Sequence, residues 1–274
     1  MTQDLLSEAR VRHYLHTDGV RLRLFRSISS TNTVLKGLAE AGEEEGLCLI
    51  AEEQTAGRGR LGRSFFSPPE SGLYMSLLLR PTLPAADAVN ITACAAVAVA
   101  EAIESLAPVR AEIKWVNDIL VDGRKVCGIL AESSLAAESG RLDWLVVGIG
   151  INTRPPAEGF PEELKTIAGS AFGSEPIPEL RCRLAAAVLD RLMLSYRNLK
   201  SREICEAYRK RSLVPGKEIR ILSPGKDPEP AFALDIDEDY ALIVRMPDGG
   251  IRRLTAGEVS IRKAGNQDCS EGSE

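Results

Sequence analysis

Residues 114–133 read KWVNDILVDGRKVCGILAES, and the reading of this stretch decides the fold. Asp122 and Gly123 lie between two apolar runs. An Asp-Gly pair in that setting is a strong hairpin signal, because glycine tolerates the positive φ of a tight turn. A hairpin here folds Lys125 back toward Lys114, Asn117 and Asp118, so that two cations, an amide and a carboxylate converge at the rim of a sheet. The same residues also have a plain reading, with Asn117 and Asp118 as turn formers and Asp118 in an ion pair with Lys114.

Further strands flank this hairpin on both sides. DWLVVGIGIN (143–152) follows it and ends in the polar Asn152; RLRLFRSI (21–28), LCLIAEE (47–53) and GLYMSLLLRP (72–81) precede it. Pro81 ends the last of these, since proline cannot donate to a ladder. Between them, LSEARVRHYL (6–15) reads as a short opening helix. TNTVLKGLAEAG (31–42) reads as a helix capped by Ser30 or Thr31 and stopped by Gly42. The alanine-rich ITACAAVAVA (91–100), followed by Glu101 and Glu104, reads as a buried helix too short to span a bilayer. Residues 153–178 hold five prolines and read as an extended surface connection with room for one turn of helix; Leu180 to Arg211 is helical by pattern. From Lys217 the texture changes to five short apolar pieces separated by SPGKD, DED, PDGG and AGE, the pattern of a small all-β barrel. The expected architecture is therefore α+β: a mixed β-sheet packed with helices over residues 1–214, a small β-barrel over 215–264, and a disordered tail over 265–274.

Bulk properties exclude several classes. With 39 acidic and 34 basic residues the formal charge is −5, so no global field holds the chain on nucleic acid or an anionic membrane, and any anion site must be local. The six cysteines, Cys48, Cys94, Cys127, Cys182, Cys205 and Cys269, are scattered without a CxxC pair, which argues against a disulfide framework or a zinc site. That usage reads as a reducing compartment, and the first 20 residues lack a signal-peptide apolar core, so a cytoplasmic location is expected.

Chemistry concentrates in two further segments. In QTAGRGRLGR (54–63), Arg58, Arg60 and Arg63 alternate with Gly57, Gly59 and Gly62. Glycine lets the backbone approach a ligand closely, and arginine offers a fixed fork of donors to carboxylate or phosphate, so the run is suited to an anion clamp. A solvated hairpin loop or an RNA-binding loop are the alternatives. The run is not a P-loop, and no G-x-S-x-G elbow or cysteine with a neighbouring histidine supplies a covalent nucleophile. Ser29-Ser-Thr-Asn32 is either a helix cap or a polar cluster able to pair with a neutral polar ring. Gly148-Ile-Gly-Ile-Asn152 fails as a Rossmann turn, because no glycine-opened helix follows it.

These segments, in this order, resemble the biotin protein ligase family. Ser30-Thr-Asn32, the 54–63 run, Gly72-Leu-Tyr-Met-Ser76, Lys114-Trp-Val-Asn-Asp118, Gly123-Arg-Lys-Val-Cys-Gly128 and Gly148-Ile-Gly-Ile-Asn152 carry the likeness, which runs from about residue 22 to 262. The resemblance implies a catalytic domain followed by an SH3-like β-barrel. It also implies ATP, biotin and Mg2+ as substrates and cofactor, with biotinyl-5'-adenylate as intermediate. A lysine of a biotin carboxyl carrier protein domain is the implied acceptor. By the same resemblance Ser30, Thr31, Asn32, Gln54 and Gly128 line the biotin end, while Gly57, Arg58, Gly59 and Arg60 close over biotin carboxylate and phosphate. Lys125 holds the carboxyl oxygen and α-phosphate. Lys114, Asn117 and Asp118 serve the adenylate or acceptor side, with Arg63, Phe65 and Asn152 near the nucleotide. The implied catalytic set is Arg58, Arg60, Lys114, Asp118 and Lys125, with the metal ligands open. Val116, Phe65 and Thr33 depart from the usual proline, tryptophan and glutamine. Too few residues precede Ser30 for the helix-turn-helix of repressor members, so a ligase-only form without DNA or membrane partners is expected, a homodimer staying open. A lipoate or octanoate ligase of the same fold is the nearest alternative.

Overall fold

The structure is a computed structural model that describes residues 4–84, 88–136, 141–173, 176–199, 201–223, 225–255 and 257–261. The chain divides into two compact units, Met1–Leu213 and Val214–Glu274. The tail expected over 265–274 lies outside the described residues.

The first unit is built on a seven-stranded mixed sheet of β1 (Arg21–Phe25), β2 (Leu47–Ala51), β3 (Gly72–Leu79), β4 (Glu112–Lys114), β5 (Asp118–Val121), β6 (Arg124–Leu135) and β7 (Leu142–Asn152), in the order β1-β2-β3-β7-β6-β5-β4. Only β1 and β2 run parallel. The Asp122-Gly123 turn joins β5 to β6 with φ values of 51° and 72°, the left-handed geometry the dipeptide foretold. A register shift between Ile119 and Leu120 brings Leu120 opposite Lys125.

Five helices accompany the sheet: α1 (Glu8–Tyr14), α2 (Thr31–Glu40), α3 (Ala88–Leu106), α4 (Leu180–Tyr196) and α5 (Arg202–Arg211). Ser30 caps α2, accepting from the Thr33 amide at 3.4 Å, and Gly42 at φ 90° follows its end. Leu35 and Ala39 of α2 join Leu47, Leu49, Leu78, Trp144 and Val146 in one buried cluster on the sheet. Burial of one such aliphatic side chain contributes about 1.5–3 kcal/mol. The helix is only ten residues long, so it covers one end of this face and leaves the rest to a loop. On β3 and β7 the intervening residues Met75, Leu77, Val147, Ile149 and Ile151 are also buried, and α3 and α4 pack against strands β3 to β7. α3 is longer than its alanine-rich stretch and apolar enough by length and composition to cross a membrane, yet 72% of its apolar window is buried within the fold.

The helical pattern of 180–211 forms as two helices, α4 and α5, and α5 packs on α3 and β4. One expectation about this unit needs correction: the proline-rich connection is not wholly a surface segment, for Ala168, Ala171 and Phe172 are buried.

In the second unit the five expected strands form: β8 (Glu218–Leu222), β9 (Glu229–Ile236), β10 (Leu242–Arg245), β11 (Ile251–Leu254) and β12 (Glu258–Ile261). They make an open sheet in the order β11-β10-β9-β8-β12. Among the described residues the expected SH3-like β-barrel is not present: closure requires hydrogen bonds between the first and last strands of the order, and β11 and β12 do not pair. Strand number and spacing were legible; which edges meet is a property of curvature that four-residue strands do not encode.

Candidate active site

The site is a strip of sheet without side chains. Gly128 on β6 pairs with Gly150 on β7, and Gly148 pairs with Ser76 on one side and Leu130 on the other. Alternation along the strands sends these positions to one face, the face α2 partly covers. A Cβ on Gly150 would stand 2.6 Å from the ring of Phe65, and one on Gly128 would stand 3.3 Å from the same ring. At Gly148 a Cβ would collide with the side-chain oxygen of Asn32. The floor is therefore roofed by Phe65 at one end and Asn32 at the other.

Asn32 belongs to a buried polar cluster at the start of α2. Ser30, Thr31 and Asn32 are all buried. Gln54 Oε1 accepts from the Thr31 amide at 2.9 Å and lies 3.1 Å from its hydroxyl, while Gln54 Nε2 donates to Ser67 at 2.9 Å. Ser76 Oγ stands 2.6 Å from Asn32 Oδ1 and 2.7 Å from Thr31 Oγ1. Asn32 Nδ2 donates to the Leu130 carbonyl at 3.2 Å and to Glu132 Oε2 at 3.1 Å. The cap function of Ser30 and the polar cluster thus coexist.

The glycine and arginine loop folds back over this floor. Phe65 N donates to Gly57 O at 2.9 Å and Gly59 N to Arg63 O at 2.7 Å, so the loop is a narrow hairpin with a bridge from Arg58 to Ser64. Leu61 and Gly62 turn its tip with positive φ. Gly57 is required, since a Cβ there would collide with the Phe65 carbonyl. Arg58 Nη1 lies 3.3 Å from Glu132 Oε1, which also takes Lys36 Nζ at 2.8 Å. Burial pushes the Glu132 carboxyl up, but hydrogen bonds from Lys36 and Asn32 and the charges of Lys36 and Arg58 outweigh it and hold the group below its ordinary range. Arg60 Nη1 donates to Asn117 Oδ1 at 2.7 Å, and Asn117 Nδ2 donates to Ile129 O at 2.8 Å. Arg63 is exposed on the far limb of the hairpin.

Lys125 curls over Gly128, its Nζ 3.4 Å from where a Cβ would stand, and forms an ion pair with Asp118 Oδ1 at 2.7 Å. Lys114 is the ladder partner of Asp118 but makes no ion pair with it; among the described residues Lys114 has none. The Trp115–Val116 peptide is cis, and Tyr208 of α5 donates to Val116 O at 3.1 Å. Asn152 closes the strip, donating to Gly169 O at 3.1 Å, while Lys125 N donates to Ile167 O at 2.8 Å.

Arg58, Arg60, Phe65, Asn117, Asp118, Lys125 and Gly128 are thus brought together, with Thr31, Asn32 and Gln54 at one end and Asn152 at the other. Lys114 stands at the edge of this group. Sequence reading passed over Glu132 and Lys36, and quoted Ser76 in a motif without giving it a role. A lone serine in the apolar run of β3 was the available signal, as was an acid facing inward on β6. Arg181, also passed over, is buried against Asp4 and against Glu52 Oε2 at 2.6 Å, and its guanidinium also bonds the Asp4 carbonyl. The five described cysteines are buried and in no disulfide, with the thiol of Cys48 pushed up to about 12 by burial, so none is poised as a nucleophile. No group of three or more His, Cys, Asp or Glu side chains among the described residues is placed to hold a metal ion. Magnesium that arrives on ATP phosphates asks a protein for only one or two carboxylates.

A glycine floor between a buried polar cluster and several cations defines a site for a ligand with a neutral polar end and an anionic end, on a mixed sheet of the biotin and lipoate ligase class. The profile of the biotin/lipoate A/B protein ligase family matches residues 24–152. The biotin--[acetyl-CoA-carboxylase] ligase of Mycobacterium tuberculosis is 30% identical over 247 residues, covering 87% of this chain and 88% of that protein. A solved structure of the Aquifex aeolicus biotin protein ligase in complex with biotin and ATP superposes with a TM-score of 0.70 at 28% identity, covering 89% of this chain and 99% of the other. The chain belongs to the biotin protein ligase family. The bifunctional ligase/repressor BirA of Bacillus spizizenii is 43% identical over 167 residues, or 60% of this chain; the match spans about half, 51%, of that relative's length.

Proposed function

We propose that the first unit binds biotin and ATP, joins them as biotinyl-5'-adenylate with release of pyrophosphate, and passes the biotinyl group to a lysine of a biotin carboxyl carrier protein domain. The observation that carries this reading is the convergence of Arg58, Arg60 and Lys125 on one glycine-floored strip, with the buried Thr31, Asn32 and Gln54 cluster at its end.

Biotin's polar ring sits against Thr31, Asn32 and Gln54, its bicycle on Gly128, Gly148 and Gly150, and its carboxylate under the arginine loop. The carboxylate oxygen attacks the α-phosphorus and pyrophosphate leaves in line. Two anions must meet, so neutralisation and positioning are the main demands, and loss of one well-aimed donor costs about 3–4 kcal/mol of transition-state stabilisation. Arg58 and Lys125 reach this point by leaving Glu132 and Asp118, carboxylates that hold them in the unliganded protein. Arg60, held by Asn117, Phe65 and Asn152 lie toward the nucleotide, with Arg63 and Lys114 serving its phosphates. Closure of residues 56–66 over the adenylate excludes water from a reactive mixed anhydride. In the second step the carrier lysine attacks the adenylate carbonyl as a neutral amine, AMP leaves, and Asp118, released from Lys125, accepts the amine proton. ATP brings magnesium as its own counter-ion, and a cytoplasmic location fits both substrates.

Incubation with biotin, MgATP and a biotin carrier domain tests the reading directly. The expected result is a mass gain of one biotinyl group on the carrier, dependent on both small molecules; absence of transfer and of biotin-dependent pyrophosphate exchange overturns it. A lipoate or octanoate ligase would instead exchange with those acids. The buried polar cluster favours biotin, since a long apolar chain leaves those groups unpaired.

A further inference from the structure

Lys125 and Gly128 lie three positions apart on β6, a spacing that strict alternation sends to opposite faces of a sheet. Yet the Lys125 ammonium stands over Gly128, on the face that carries Asp118. The register shift is the reason. Ile119 pairs with Cys127 but Leu120 pairs with Lys125, so Val126 is the extra residue of a β-bulge, and Lys125 takes the face shared by Leu120 and Asp118. A bulge re-aims a side chain by disrupting the ladder, so the backbone of Lys125 needs a partner from elsewhere.

β7 does not supply it. Its last partner on β6 is Cys127, opposite Ile151, and after Asn152 the chain turns toward β3, the amides of Thr153 and Arg154 both donating to Ser71 O at 2.9 Å. Residues 167–169 come in beside Lys125 instead. Lys125 N donates to Ile167 O at 2.8 Å and Gly169 N donates to Lys125 O at 2.9 Å, a parallel bridge centred on Ala168. This short segment is tied at both ends. The amides of Ile167 and Ala168 donate to Leu164 O at 2.9 and 2.7 Å, Asn152 Nδ2 donates to Gly169 O at 3.1 Å, and Ala171 N donates to Asn152 O at 2.8 Å. Arg124 Nη1 adds a bond to Lys165 O at 2.6 Å. The approach is close: a Cβ on Gly169 would stand 2.7 Å from the Cβ of Arg124, an atom that cannot swing aside.

We infer that residues 167–169 are a positioning strand for adenylate formation, holding the bulged backbone of Lys125 so that its ammonium stays aimed at the glycine floor, with Gly169 the residue that lets the strand approach. The inference rests on the proposed function, in which Lys125 neutralises the carboxylate and the α-phosphate. A misplacement of about 1 Å at reacting groups costs on the order of 100-fold in rate, so the two backbone bonds govern the chemistry without meeting substrate.

A double-mutant cycle tests this, with kcat for biotin-dependent pyrophosphate exchange measured in wild type, Gly169→Ala, Lys125→Gln and the double variant. Gly169→Ala drives the strand off Arg124 and loosens Lys125; a loss of about 10- to 100-fold in kcat is expected. Once the aimed ammonium is gone, the same alanine is expected to cost less than about twofold in the Lys125→Gln background. Costs that multiply reveal an effect independent of Lys125 and overturn the inference, as does a wild-type kcat in Gly169→Ala. If Gly169→Ala does not fold, Arg124→Ala takes its place, since it removes only an exposed side chain and the bond to Lys165 O. A loss of about threefold is then expected, again vanishing beside Lys125→Gln, and multiplying costs or no loss overturn the inference. If the wild type performs no biotin-dependent exchange, or Lys125→Gln exchanges at the wild-type rate, the proposed function fails on its own account. Hydrogen exchange at the Lys125 amide then still reads the strand: it is expected to be faster in the variant than in wild type, and equal rates show that the strand does not hold Lys125.

Discussion

Gly148 and Gly150 are two residues apart on one strand and face the same way, yet alanine at each is expected to act very differently. At Gly148 the added Cβ collides with Asn32 Oδ1, and Asn32 is 4% exposed and tied to Ser76, Leu130 and Glu132. Forcing it aside costs about 1–3 kcal/mol of overpacking. Leaving its amide partners unmade costs about 1–3 kcal/mol more. Against this stands only about 0.4–1 kcal/mol gained from a less flexible unfolded chain. The net expectation for Gly148→Ala is a loss of about 2–4 kcal/mol. At Gly150 the clash, at 2.6 Å, is with the half-buried ring of Phe65 on a loop that can swing away. The expected change there is within about 1 kcal/mol of zero, by the same opposing contributions. Both tryptophans, Trp115 and Trp144, lie in the first unit, and Trp144 sits in the cluster under α2. Urea unfolding followed by tryptophan fluorescence therefore reports on this unit alone. If Gly150→Ala proves the less stable, or Gly148→Ala unfolds with the wild type, the description of the floor is wrong. Gly150→Ala should nonetheless lose biotin binding, because the methyl occupies the ligand's place.

Other expectations follow from charge and burial. Arg181→Ala strips the partner from Asp4 and Glu52 and should lower stability by about 3–5 kcal/mol, read in the same urea assay, as for other broken buried pairs; an unchanged midpoint refutes the network. Lys125→Gln should reduce adenylate formation by about 100-fold or more, as expected for loss of an aimed cation, measured as biotin-dependent pyrophosphate exchange. Asp118→Asn should slow transfer to the carrier more than adenylate formation; equal slowing rules out a role with the acceptor lysine. The Glu132 carboxyl is held below its ordinary value of 4.5, so its stabilisation is complete above that pH and is lost as pH falls through the lowered value. Melting temperatures of wild type and Glu132→Gln should therefore converge on acidification below about pH 4.5, and parallel curves would contradict this.

Local elements and chemistry-bearing segments were legible in the sequence because they obey short-range rules. The Asp122-Gly123 turn, the Ser30 cap and the Gly42 stop depend on neighbours within four residues. So does the concentration of arginine and glycine between Gln54 and Arg63. The division of 180–211 into α4 and α5 was not legible, because the helical pattern runs through both. The open second sheet was hidden for a related reason, since alternation reports which face a residue takes and not which strand edges meet.

The pairing of charges lay beyond sequence too. Asp118 neighbours Lys114 on the hairpin, but the register shift at Ile119/Leu120 lets Lys125 take it instead. Sequence alone determined that an arginine and glycine run, a polar cluster and a hairpin corner exist, because each is a local pattern of residue types. Tertiary structure decided that they share one floor, and that Glu132 and Ser76 meet Asn32 beside it. Those contacts join α2, β3, β6 and the arginine loop, segments up to 100 residues apart, which only a folded sheet brings within reach of a proton.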